Sequence, residues 1–241
     1  MGEAKRRQLQ GEHKPRDKRG GKGGMIAVLV LVLLVVAAFL WWLSIPRVPP
    51  ADELPRAEAG AGPFPAELDR HGISVGAADA PVVVREFADY QCPGCANFAP
   101  VAERLKNEYV DSGQVRFVFF ELPLRQHANA VPAAHAARCA ADQDAFWPMQ
   151  QRLFDDQNDW SGRGNPVPRF AVYAGELGLD RDEFEACMES ERHRSAINAS
   201  LQVARQLGVS STPTVVVDNI PLARPTWPRL KGVVDRELGA D

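Results

Sequence analysis

Two cysteines three positions apart, Cys92 and Cys95, with Pro93 and Gly94 between them, are the residues of this 241-residue chain best suited to chemistry. If Cys92 begins a helix, both sulfurs lie on one face of its first turn, within reach of a disulfide. Pro93 suits that turn, because the amide it lacks would have no partner there. Unpaired amides and the helix dipole at such a place favour a thiolate on Cys92, and a thiolate is the attacking species in disulfide exchange. Two other uses compete. A zinc site needs four ligands, and a second pair at short spacing is absent: Cys139 and Cys187 lie far apart, and His13, His71, His127, His135 and His193 match no ligand spacing. A purely structural bridge across so short a loop would remove little entropy from the unfolded chain. Redox cycling is the expected use, with no metal and no bound organic cofactor.

Cys139 and Cys187 are expected to pair as a structural staple if the domain lies in an oxidising compartment. A second redox centre and two free buried thiols are the alternatives.

The surrounding pattern supplies the elements that must hold these residues. PVVVREF, from Pro81, is a short β-branched run, and after the cysteines apolar residues recur at Phe98, Val101, Ala102, Leu105 and Tyr109. The pair therefore sits between a strand and an amphipathic helix. VRFVFFEL, Val115 to Leu122, reads as a strand buried on both faces. An Ala-rich helical block follows, in which Asp180 can cap a helix and Glu183 can close a capping box. A further helix from Ser195 stops at Gly208, then TPTVVVDN gives a strand and a turn at Asp218 and Asn219. A short strand at Ile220 to Leu222 and a last helix from about Trp227 to Leu238 complete the order βαβ, helical block, αββα. An α/β fold is expected, with a mixed sheet, helices on both faces and a helical insertion at about 127–190.

The amino-terminal region differs in composition. Residues 1–24 carry eight Lys or Arg against three acids, a formal +5, leaving 20 of the 28 basic and 28 of the 31 acidic residues for the rest, a net −8. An acidic main domain argues against nucleic-acid binding. Residues 25–43, MIAVLVLVLLVVAAFLWWL, hold no charge and would span roughly 28 Å as a helix, near the hydrocarbon thickness of a bilayer. Trp41 and Trp42 stand at the end where indoles favour the headgroup zone, and the cations before the run would stay on the cytoplasmic side. The apolar core exceeds that of a cleaved signal peptide, and the nearest Ala-x-Ala, Ala57 to Ala59, lies well past it. One uncleaved transmembrane anchor is expected, followed by a Pro/Ala-rich stalk at 44–66 and a domain at 67–241 outside the cytoplasm.

REFADYQCPGCANFAP, ELPLRQHANAVPAAHAARCAADQDAFWPMQQRLF and QLGVSSTPTVVVDN together resemble the membrane-anchored DsbA-like thiol:disulfide oxidoreductases of the thioredoxin superfamily. The resemblance covers about Gly72 to Leu238 and implies a thioredoxin-like sheet. It implies that Cys92 is the exposed nucleophile and Cys95 the buried resolving thiol. Glu86 matches the acid such proteins keep beneath the active-site helix, where it could relay the proton of Cys95; the competing reading is a solvated strand residue beside an exposed Arg85. Pro100 fits the kink of thioredoxin-like active-site helices. Thr212-Pro213 corresponds to the family's cis-proline dipeptide, whose backbone could pair with an extended substrate. Equivalents of Cys139 and Cys187 are often disulfide-bonded in the family. One departure matters: the strongest oxidants carry a histidine where this chain has Gly94, so stabilisation of the thiolate is expected to rest on the helix amides.

The resulting expectation is an enzyme of the bacterial plasma membrane, with its amino terminus cytoplasmic, that introduces disulfides into unfolded exported proteins. It would be reoxidised by a DsbB-like or VKOR-like membrane protein. A reductase or isomerase on the same fold, and a non-catalytic peptide-binding or chaperone module, are the rival readings.

Overall fold

The computed structural model describes residues 22–44 and 54–239, which fall into two units, one within 1–47 and the other within 48–241. The basic tail before Lys22 and residues 45–53 of the expected stalk lie outside the described residues. In the first unit, α1 runs from Lys22 to Ser44, 23 residues of helix whose described side chains, 26–42, are exposed. Among the described residues no helix is long and apolar enough to cross a membrane.

The second unit is built on a five-stranded sheet of order β1-β3-β2-β4-β5. Its strands are β1 (Ile73–Val75), β2 (Val82–Ala88), β3 (Val115–Glu121), β4 (Thr214–Val217) and β5 (Ile220–Pro221). β2 and β3 are parallel, with Val84 opposite Phe117, and the other neighbours are antiparallel. The crossover between β2 and β3 is α2 (Pro93–Leu105), extended by a π-helical turn over Lys106–Val110. Then come α3 (Ala130–Ala141), α4 (Phe146–Asp155), α5 (Gln157–Trp160), α6 (Val167–Glu176), α7 (Arg181–Ser190) and α8 (Arg194–Gln206), with α9 (Trp227–Glu237) after the sheet. The Asp180 side chain accepts from the Glu183 amide and so caps α7. Gly208, at φ +70°, follows α8 in the left-handed conformation that glycine adopts without a Cβ penalty.

Alternation along the central strands sorts their side chains into two cores. Val82, Val84, Phe117, Phe119, Val215 and Val217 face the larger core with Cys95, Phe98 and Leu105 of α2, the helical block and α9. Phe87, Val118 and Phe120 face a smaller core with Leu68 and with Val203 and Ala204 of α8. Because both faces are covered, β2 is buried even where its sequence is charged.

Two expectations are corrected here, and one element is added. Arg85 is not exposed but 3% accessible, on the smaller-core face, where its guanidinium grips the buried Asp69 carboxylate through Nε (2.7 Å) and Nη2 (2.8 Å) and lies 3.9 Å over the Phe64 ring. Asp69 arrives on a 3-10 turn, Ala66–His71, ahead of the sheet. The described part of the expected stalk is not free chain: Leu54 is buried, Ala57 packs on the larger core and Phe64 on the smaller, and Arg236 donates to the Pro55 carbonyl. Strand β1, three residues antiparallel to β3, was not expected at all.

Candidate active site

β2 ends at Ala88, and the chain makes a short loop before α2 begins at Pro93 with Cys92 as its cap residue. The Cys92 carbonyl accepts from the amides of Cys95 (3.1 Å) and Ala96 (3.2 Å), which fixes both cysteines on the first turn. Both are free thiols. Cys92 is partly accessible and Cys95 buried. Pro100 lies inside α2.

The sulfurs sit in opposed environments. The Cys92 thiol is drawn down from 9.0 to about 5. Its largest cause is the Cys95 side chain as a hydrogen-bond donor, opposed by partial burial and aided by the Thr212 side chain and the Cys95 and Gly94 amides. Each of these amides contributes less than the neighbouring thiol, so the thiolate draws on side-chain donors as well as on the helix amides. The Cys95 thiol is pushed far up, first by burial, then by its bond to Cys92 and the charge of Glu86. A partly exposed sulfur held as thiolate beside a buried one held as thiol is the arrangement that nucleophilic exchange requires.

Thr212-Pro213 is cis and lies against this turn. Cys92 Sγ is 3.5 Å from the Thr212 carbonyl oxygen, to which the protonated thiol donates. Among the described residues the Thr212 hydroxyl has no other partner, so it can donate to the thiolate. A Cβ on Gly94 would stand 3.1 Å from Pro213 Cδ and 3.6 Å from Cys92 Sγ. Glycine there lets the proline loop close onto the helix cap.

Glu86, 2% accessible, shares the α2 side of β2 with Val84 and Ala88. Its Oε1 has no partner among the described residues, and burial lifts its carboxyl to about 8, with Lys106 opposing. The solvated reading of Glu86 is therefore corrected. Cys139 and Cys187 are disulfide-bonded between α3 and α7, 48 residues apart in sequence. His135 comes close to both sulfurs, and Asp142 and His193 to Cys187, but the sulfurs are committed to one another.

Sequence reasoning missed the groups that hold the loop. Gln157 Nε2 donates to the carbonyls of Tyr90 (2.7 Å) and Cys92 (3.0 Å). Gln91 joins the Asn129 amide and the Ser161 carbonyl. Asp89 is 1% accessible and bonds His127. A buried Glu121 pairs with Arg138 through two contacts of 2.7 Å, tying β3 to α3. An acid two residues after a strand's β-branched run, Asp89, was the one available signal.

The sequence matches the family model described as thioredoxin over residues 69–236. It is 31% identical over 169 residues to the probable disulfide bond formation protein D of Bacillus anthracis, covering 68% of this chain and 77% of that protein. It is also 35% identical over 199 residues to the Na(+)/H(+) antiporter NhaA 3 of Salinispora tropica, covering 78% of this chain but only 29% of that much longer protein. Among solved structures, oxidised BdbD from Bacillus subtilis superposes with a TM-score of 0.64 at 23% identity, over 70% of this chain and 94% of that one. The chain belongs to the thioredoxin family.

Proposed function

We propose that this protein is a membrane-tethered disulfide oxidase acting on unfolded exported proteins outside the cytoplasm. The observation that carries the reading is the opposition of the two sulfurs, with Cys92 drawn to about 5 while Cys95 stays a buried thiol. Stabilising the thiolate of the reduced pair favours reduction of the enzyme, and therefore oxidation of whatever it meets. A substrate thiolate attacks Cys92 of the Cys92–Cys95 disulfide. The S–S bond breaks, its electron pair leaves with Cys95, and Glu86 is the group suited to supply the proton. A second substrate thiolate then attacks the substrate sulfur of the mixed disulfide and releases Cys92 as thiolate. Thr212 and Pro213 line the place where the substrate backbone would lie.

A DsbB-like or VKOR-like membrane protein would withdraw the two electrons. The uncharged run of residues 25–43, with Trp41 and Trp42 at its end, supports a tether. The excess of Lys and Arg before it supports a cytoplasmic amino terminus in the bacterial plasma membrane. Gly94 favours the rival direction, a reductase, because it gives the thiolate no side-chain donor.

Trapping tests the reading. A Cys95→Ser variant expressed at the membrane should accumulate mixed disulfides with exported proteins through Cys92, released by reductant. Adducts to cytoplasmic proteins alone, or none at all, would refute it.

A further inference from the structure

The mechanism above needs Cys95 to depart as a thiolate, yet burial and neighbouring charge oppose that charge. Among the described residues, the backbone donor at its sulfur is the Asp89 amide, 3.5 Å from Cys95 Sγ. β2 ends one residue earlier, at Ala88, so this N–H has left the sheet ladder and turns to the sulfur. All the other polar atoms of Asp89 are engaged as well. Its carbonyl accepts from the Cys92 amide at 3.0 Å. Carboxylate Oδ1 accepts from the Gln91 amide at 2.7 Å. Oδ2 accepts from the Leu124 amide at 2.7 Å and meets His127 Nδ1 at 2.8 Å. One bond earlier the Ala88 carbonyl takes the Leu122 amide at 2.7 Å. The loop that carries the amide is thereby fixed to the segment after β3 (Val115–Glu121) and to the cap of α2 (Pro93–Leu105).

We infer that Asp89 is a positioning residue for the departure of Cys95: its buried carboxylate, held by Leu124 and His127, aims its own amide at the leaving sulfur. The inference rests on the exchange chemistry proposed for the pair, and does not depend on which way electrons flow. In the step concerned, an attacking thiolate forms a bond to Cys92 Sγ, the Cys92–Cys95 bond breaks, and the electron pair stays on Cys95 Sγ. The Asp89 N–H holds that charge until a proton arrives. The attacking thiol is oxidised to a mixed disulfide as Cys95 is reduced. A hydrogen bond to a charged sulfur is worth about a tenfold change in rate.

Two rates on the full chain separate this role from a merely structural one. The first is attack of glutathione on the oxidised pair, in which Cys95 leaves. The second is alkylation of the reduced pair at Cys92 by iodoacetamide, in which Cys95 takes no part. Asp89→Asn should slow the first about tenfold and change the second less than twofold. His127→Gln, which removes one carboxylate partner and leaves the backbone untouched, should show the same split at about threefold, and decides the matter if Asp89→Asn does not fold. Equal losses in both rates, or no loss in either, would overturn the inference. The glutathione equilibrium of the unaltered chain, read in the same series, reports the direction of electron flow separately.

Discussion

Cys92 titrates low because its neighbour donates to it, and this gives the reduced domain a defined pH dependence. A thiol that titrates at about 5 when folded and at 9.0 when unfolded contributes stability that is complete above pH 9, shrinks as pH falls and is gone below about 5. The ultraviolet absorbance of the thiolate should therefore titrate with a midpoint of about 5 and vanish in Cys92→Ser; a midpoint near 9 would refute the assignment. Glu86 behaves in the opposite sense. Between the ordinary 4.5 and about 8 it is neutral when folded and ionised when unfolded, so the folded state binds more protons and stability falls as pH rises through that window. Urea melts of the oxidised form, in which Cys92 is disulfide-bonded and does not titrate, should show the parent losing on the order of 3 kcal/mol between about pH 5 and pH 8. Glu86→Gln should abolish that loss, whereas an unchanged slope would mean that the carboxyl ionises normally in the fold. Of these residues, Cys92 and Cys95 are legible from spacing alone. The depth of Glu86 is not, since VVVREF reads as a strand with a wet charged end until the sheet is seen to be covered on both faces.

Strands and helices hold the site through a few buried polar ties as much as through apolar packing. The order of elements, the start of α2 at Pro93 and the cap at Asp180 follow from local pattern, because each is decided by residues within one turn. β1, three residues long, lacks enough alternation to announce itself. The burial of Arg85 depends on Asp69, sixteen positions away in sequence and brought over by a 3-10 turn that no period reveals. Removing one partner of such a pair strands the other charge, so Asp69→Ala should cost about 3–5 kcal/mol in denaturant unfolding; a cost below about 1 kcal/mol would show the pair to be solvated. In the helical block, the Cys139–Cys187 bridge closes a loop of 48 residues and should contribute about 4 kcal/mol by chain entropy. The double variant Cys139→Ala and Cys187→Ala should lose that much stability while the Cys92–Cys95 equilibrium stays where it was. A shifted equilibrium would mean that the bridge takes part in the redox chemistry.

For the chain as a whole, the proposed division of labour is a tether that sets location and a domain that sets chemistry. Deleting residues 1–44 should release the protein from membranes without altering its exchange with glutathione; a truncated chain that still sediments with membranes would contradict the tether. Charge composition motivates this proposed division, because the basic excess is confined to the first 24 residues and the rest is acidic. The direction of electron flow was not legible, since it depends on how the Cys95 thiol, Thr212 and Gly94 meet around one sulfur across 120 residues of sequence. The equilibrium constant of the Cys92–Cys95 pair against glutathione measures that direction outright. An oxidase requires the reduced pair to be favoured, with a potential less negative than roughly −180 mV; a value near −270 mV, typical of reducing thioredoxins, would contradict the proposed function.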